Sequence, residues 1–174
     1  MLSIDKLDHH TLVGASSSLA RILYENVKQG ASIGFIEPFS LDDSKRYWLE
    51  NVAKNIAGNK AILFVARYKE NVIGCVQLIV QMPANQSHRV EIAKLLVHPN
   101  NQRQGVAYKL LQTAEEEARL LKKSLIVLDT KTGDNAQRLY LKTGFIEAGS
   151  IPNFALNPDN DRLAATTIMY KLLI

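Results

Sequence analysis

The chain has 174 residues, 47% hydrophobic and 22% charged, which suits one core and leaves little room for two ordinary domains. Its 21 Lys and Arg against 17 Asp and Glu give a net charge of +4; the cations are scattered rather than gathered in a stripe, which argues against a nucleic-acid surface and suits a site for a small polyanion. A single cysteine, Cys75, excludes an internal disulfide and a thiolate zinc cage.

The N-terminal "MLSIDKLDHH" has no apolar signal core, and the longest apolar runs are strand-length, so no membrane segment and a cytoplasmic location are expected. A short strand leads into helices. Leu19, Ile22, Leu23 and Val27 recur at helical spacing before Gly30. After Pro38, Ser40 is placed as an N-cap with Asp42 and Asp43 in the first turn, and Leu41, Trp48, Leu49, Val52 and Ile56 form a stripe that ends at Gly58. From residue 61 the period changes to that of strands. "AILFVARYKENVIGCVQLIV" reads as a hairpin turning at "YKEN", with Cys75 a small buried hydrophobe. "HRVEIAKLLV" is a further strand ending at His98-Pro99, and "NQRQGVAYKLLQTAEEEARLLKK" a long helix with Ala107, Leu110, Leu111, Ala114, Ala118 and Leu121 on its apolar face and Glu115 one turn before Arg119. "SLIVLDT" is almost wholly apolar, as in a sheet covered on both faces. "GDNAQRLYLKTGF" gives a short helix closed by Gly144, "IPNFALNPDND" a loop, and "RLAATTIMYKLL" a last strand; its end, "TTIMYKLLI", could pair across a homodimer, the oligomeric state being open. The pattern predicts one mixed α/β (α+β) domain over residues 1–174.

The most informative run is "LLVHPNNQRQGVAYK". A strand ends at Val97, a polar loop follows, and Gly105 opens a long helix. A helix start presents free N–H groups and the positive end of the dipole, and a glycine there removes the Cβ that would keep a ligand off the main chain. Together they would cradle a diphosphate; ordinary turn chemistry explains such a glycine equally well. Neither a GxxxxGK[ST] loop nor a GxGxxG fingerprint is present. Upstream, the alternation of "VEIAKLLV" breaks at Lys94, where a β-bulge would re-phase the strand and free an N–H near Leu96; an ordinary strand end buried on both sides explains the run equally well. Asp129 ends an apolar strand, where a free charge is costly unless used, although it could simply cap "DTKTG". Glu91 could be a catalytic carboxylate or a salt-bridged strand residue, and Tyr140 an acid or a core residue with a wet tip. Four histidines, His9, His10, His88 and His98, show no metal-ligand spacing, so no metal is expected.

The "QRQGVA" run fits the Q/R-x-x-G-x-G/A signature of the GCN5-related N-acetyltransferases. "VEIAKLLVHP", "GVAYKLLQTAEEEAR", "LIVLDT" and "AQRLYLKTGF" also follow in that superfamily's order and spacing, so the chain resembles it over most of its length. The resemblance implies a GNAT-like fold, a splayed mixed sheet of about six to seven strands flanked by about four helices. It divides the chain into a variable acceptor side (1–60), a core that binds acetyl-CoA as co-substrate (61–149), and a loop with a C-terminal strand (150–174). Acetyl-CoA would lie between the strand ending at Val97 and the strand Ser124–Thr130. Leu95, Leu96 and Val97 would pair with its pantetheine arm, and Gln102, Arg103, Gln104, Gly105, Val106, Ala107 and Tyr108 would surround its pyrophosphate. Where many relatives keep an asparagine on the pantetheine, this chain has Gly133, and Asn135 lies two residues later. Tyr140 would be the acid toward the leaving sulfur, and a backbone N–H near Leu96 would meet the oxyanion. "LDTKTGDNAQRLYLKTGF" with "GSIPNFALNPD" is similar to a narrower group that includes the tabtoxin-resistance acetyltransferase, in which the acids matching Glu91 and Asp129 have acid/base roles. The implied reaction is acetyl transfer to a primary amine of a small, amino-acid-like or toxin-like molecule. Two alternatives are an acetyltransferase of protein or peptide N-termini and a non-catalytic acyl-CoA-binding module.

Overall fold

The computed structural model describes residues 1–173. Strand β1 (Leu2–Leu7) leads into helix α1 (His9–Lys28). A second helical run comprises α2 (Leu41–Arg46), a π-helical stretch (Tyr47–Val52) and α3 (Ala53–Ala57). Strands β2 (Ala61–Tyr68), β3 (Asn71–Ile79) and β4 (Arg89–Val97) precede α4 (Val106–Leu120). The chain continues through β5 (Leu125–Lys131), α5 (Asn135–Lys142), β6 (Ile146–Leu156) and β7 (Leu163–Leu172). The seven strands form one sheet in the order β1-β2-β3-β4-β5-β7-β6, so the expected mixed architecture is present. No helix among the described residues is long and apolar enough to cross a membrane.

Local signals explain most boundaries. Asp8 and Thr11 form a reciprocal capping box at the start of α1, and Ser40 with Asp43 forms another at α2, each satisfying N–H groups that a helix start leaves open. The hairpin turns at Lys69–Glu70, and β2 and β3 alternate between two cores. Leu63, Val65 and Cys75 face α1 and Trp48, while Phe64, Ala66, Val76 and Leu78 face Leu110, Leu111 and Ala114 of α4. Coverage on both faces is why these strands read as nearly continuous apolar runs. Burial pushes the Cys75 thiol up to about 12, which leaves it un-ionised and inert.

Four expectations are corrected. Leu41 is 43% and Leu121 41% exposed: the first begins its helix on the outside, and the second lies past the last turn of α4. Residues 151–156 of the expected loop belong to β6. They were hidden because β6 is an edge strand exposed along nearly its whole length, so no alternation marks it. Its pairing with β7 skips between Ile151 and Ala155, which lets Pro152 and the left-handed Asn153 (φ 51°) sit where no ladder bond is needed. Finally, β7 lies between β5 and β6; both its edges are used within the chain and none is free to pair across a dimer.

Two features open the sheet. The parallel strands β4 and β5 pair only at Arg89–Leu125, Val90–Ile126 and Glu91–Val127 and then diverge. The register of β3 against β4 also jumps, Cys75 facing Leu96 and Gln77 facing Ala93, so β4 carries one extra residue. The bulge falls at Lys94, in the left-handed region with φ 50°, where the broken alternation placed it. Beside it β3 runs against β4 without a side chain. A Cβ on Gly74 would sit 2.9 Å from the Leu96 carbonyl oxygen and 3.2 Å from both Leu110 and Val106. Gly74→Ala is therefore expected to lower stability by about 1–3 kcal/mol, read as a fall in Tm of roughly 2–10 °C for a chain of this size. On the α4 side, Lys171 Nζ of β7 lies 2.8 Å from Glu115 Oε2 and donates to the Thr143 carbonyl at 2.7 Å, while Arg119 lies 2.7 Å from Glu115 Oε1. Burial alone would raise the Glu115 carboxyl, but these two cations hold it below its ordinary value.

Candidate active site

The divergence of β4 and β5 creates a cavity of about 1000 Å³. One wall is β4 from Ile92 to Val97, another is the start of α4, and a third is made by the end of β5 and by α5. The segment Gly30–Gly34 and the strand residues Phe154, Ala155 and Ala164–Thr166 close the remaining side.

At one end the main chain is laid bare. His98 Nδ1 accepts from the Asn100 N–H at 3.3 Å and helps turn the chain out of β4. Arg103 (φ 60°) and Gly105 (φ 79°) then both take left-handed conformations, and Gly105 caps α4 without any side-chain hydrogen bond. The first N–H groups of α4 are thus left for a ligand. The space where a Gly105 Cβ would stand holds no atom within 4 Å, so a diphosphate can approach the backbone there. Gln102, Arg103, Gly105, Val106, Ala107 and Tyr108 line the cavity. Val106 does so through its backbone, since its side chain is buried in the core. Gln104 does not line it; its amide reaches back to the Asn100 carbonyl at 3.5 Å.

Along β4, Leu95, Leu96 and Val97 line the cavity. Leu96 turns its carbonyl toward Gly74. The Val97 carbonyl faces away from β3 and accepts from Asn26 Nδ2 at 3.1 Å and Gln102 Nε2 at 3.3 Å. In an extended strand the N–H and C=O of one residue leave on the same side, so Val97 offers its N–H to the wedge.

At the other end the chemical groups converge. Asp129 lines the cavity at the end of β5, and its Oδ2 accepts from Thr166 Oγ1 at 3.2 Å. Tyr140, 6% exposed, reaches the same space from α5 with its ring edge-on to Phe145 at 5.6 Å. Burial pushes its phenol well above the ordinary tyrosine value, and the nearby Asp129 charge adds to the shift. Asn135, in the first turn of α5, lines the cavity, whereas Gly133 does not. Glu91 stands apart: it is not in the lining, and its carboxylate is held by Arg89 Nη1 at 2.6 Å, which matches its salt-bridge alternative. Asn26 and Gly30–Gly34 fall in the stretch 1–60 read as the acceptor side, but no motif singles them out, nor Phe154 and Thr166, and Lys94 stands out in the sequence only as a break in alternation.

A sheet wedged open beside a bare helix start, with a carboxylate and a phenol in the wedge, is the arrangement of a GNAT-fold protein. The acetyltransferase (GNAT) family model matches residues 22–145, and the chain belongs to that family. It is 32% identical over 104 residues to N-acetyltransferase 8 of Homo sapiens. That match takes in 58% of this chain and 46% of the human protein, so the chain spans about half the length of that relative. Among solved structures, it resembles yncA of Salmonella typhimurium, determined with its cofactor acetyl-CoA (TM-score 0.79, 21% identity, 100% of this chain and 95% of that one). It likewise resembles an N-acetyltransferase of Staphylococcus aureus Mu50 (0.80, 18%, 100% and 99%) and the ribosomal-protein-alanine N-acetyltransferase of Brucella melitensis (0.78, 22%, 98% and 99%). At these identities the likeness concerns the fold.

Proposed function

We propose that this protein is an acetyl-CoA-dependent N-acetyltransferase whose acceptor is the primary amine of a small, amino-acid-like molecule. The observation that carries the reading is that one cavity holds both the bare start of α4 and the pair Asp129 and Tyr140. A pure binding module needs only the first. Walls at Gly30–Gly34 and at Phe154–Ala155 bound the acceptor end on two sides, which favours a small acceptor over a polypeptide chain.

In this reading Gln102, Arg103 and the α4 N–H groups hold the diphosphate, the β4 edge at Leu95–Val97 pairs with the pantetheine, and Asn135 borders it from α5. An alkyl amine with a pKa near 10 is about one part in a thousand neutral at pH 7, a deficit of roughly 4 kcal/mol. Asp129, directly or through one water, accepts the ammonium proton. The amine nitrogen then bonds to the thioester carbonyl carbon, and the Val97 N–H, beside Leu96, meets the oxyanion. As the carbon–sulfur bond breaks, Tyr140 donates its hydrogen to the sulfur, and the second proton shed by the nitrogen as it becomes an amide returns, through water, to the Tyr140 phenolate. The burial that holds the proton on Tyr140 also raises the basicity of a thiolate formed beside it, so the two compete on a similar footing. The products are an N-acetyl amide and the free thiol of CoA; the proton on Asp129 leaves to solvent.

Release of CoA thiol, followed over a panel of small amines and short peptides, tests the reaction. Thiol release with small amines is expected; release only with peptides moves the acceptor to polypeptide N-termini, and none with any amine leaves a binding module. Gly105→Val tests the cradle by calorimetry. A β-branched side chain at φ 79° is strained and fills the approach to the α4 N–H groups, so the Kd for CoA is expected to rise at least about tenfold, near 1.4 kcal/mol. An unchanged Kd overturns the cradle.

A further inference from the structure

The acceptor end holds a cation that the reaction above does not use. Lys94 sits on the β4 bulge, half-buried, and lines the same cavity as Asp129. Its Nζ lies 5.7 Å from the centre of the Phe35 ring and 5.8 Å from that of Tyr47, and 3.9 Å from where a Cβ on Gly34 would stand. Among the described residues no carboxylate lies within 4.0 Å of it. The aromatic faces stabilise the ammonium only in part, and an ammonium taken half out of water without an anion is costly. Burial accordingly presses Lys94 below its ordinary proton affinity, while the Asp129 charge acts in the opposite sense.

The bulge makes this placement specific. One extra residue between the partners of Cys75 and Gln77, with Lys94 in the left-handed region, turns toward the wedge a side chain that regular alternation would direct elsewhere. A left-handed backbone is uncommon for a lysine, and here it delivers the amine to the acceptor wall. The cavity thus presents an anion, Asp129, and a cation, Lys94, near enough to sense one another yet not joined as an ion pair. Two unpaired opposite charges facing one space match a zwitterion.

We infer that Lys94 is a specificity residue that binds a carboxylate of the acceptor, so that the acceptor is an α-amino acid or a close relative whose ammonium meets Asp129 while its carboxylate meets Lys94. This inference rests on the transferase reading above and adds the second charge of the substrate. The acceptor carboxylate supplies the anion that Lys94 lacks, and the two contacts fix the amine relative to the thioester, which a single contact cannot do.

The test compares CoA thiol release with α-amino acids, their carboxamides and the corresponding decarboxylated amines, for the wild type, Lys94→Gln and Lys94→Arg, with CoA affinity measured by calorimetry on each. The wild type is expected to favour the amino acids over both analogues by about 10- to 100-fold in kcat/KM, the range for losing a charge-assisted hydrogen bond. Lys94→Gln should abolish that preference, chiefly through KM for the acceptor and with CoA affinity retained, and Lys94→Arg should keep much of it. Equal use of amino acids and carboxamides by the wild type, or an undiminished preference in Lys94→Gln, overturns the assignment of Lys94 and leaves the transferase reading standing. Tight CoA binding without thiol release from any amine overturns both.

Discussion

Tyr140→Phe is expected to lower kcat by about 10²- to 10⁴-fold, the range for loss of a positioned general acid, while KM for acetyl-CoA stays within about twofold. The ring is buried against Phe145, and phenylalanine fills the same space, so the variant should fold and bind; only the hydrogen offered to the sulfur is gone. A loss confined to kcat marks an interaction made in the transition state, and an unchanged kcat would remove Tyr140 from the chemistry. The pH dependence has a definite sign. Burial, reinforced by Asp129, raises the phenol above its ordinary value of 10.0, so the wild-type kcat should show no alkaline fall from Tyr140 as far as pH 10. Above that pH the unfolded chain releases a proton that the folded chain keeps, so stability falls as pH rises through and beyond 10.

Asp129→Asn should produce the other large loss, about 10²- to 10⁴-fold in kcat/KM for the amine at pH 7. The amide keeps the shape and can still pair with Thr166 but accepts no proton. The variant's deficit should shrink as pH approaches the amine pKa near 10, because solvent then supplies the neutral nucleophile that the carboxylate would have generated. Steady-state rates at pH 7 and pH 9.5 measure this. An equal deficit at both would mean that Asp129 only positions the acceptor. Glu91→Gln, by contrast, removes a carboxylate already held by Arg89 outside the cavity and should change kcat/KM by less than about threefold.

The elements most legible in the sequence were those whose burial imposes a period. α4 and the β2–β3 hairpin pack against continuous cores, and their boundaries follow from caps and turn residues. The bulge was legible as well, because a lone charge at Lys94 interrupts an apolar run. What escaped notice lacks such a constraint. β6 is exposed on both faces, so its composition is free and its proline masks it. Part of the cavity lining is assembled from residues 30–34, 154 and 166, brought together only by the fold, and no spacing along the chain encodes that meeting. Glu91 and Asp129 looked alike as acids on strands. The difference between them is positional: Glu91 lies where β4 and β5 are still paired, and Asp129 two residues beyond the last pair on β5.

Those three paired positions act as a fulcrum. From Glu91 to Val97 the strand runs roughly 20 Å at about 3.3 Å per residue, so each degree of rotation at the pivot moves the mouth by about 0.3 Å, on the scale of the tolerance of about 0.5 Å within which reacting groups must be held. The Glu115–Lys171 ion pair ties α4 to β7 beside Ile126, one of the three paired residues of β5. Small changes in how β4 and β5 meet at these three pairs are therefore magnified at Val97, on the cavity wall.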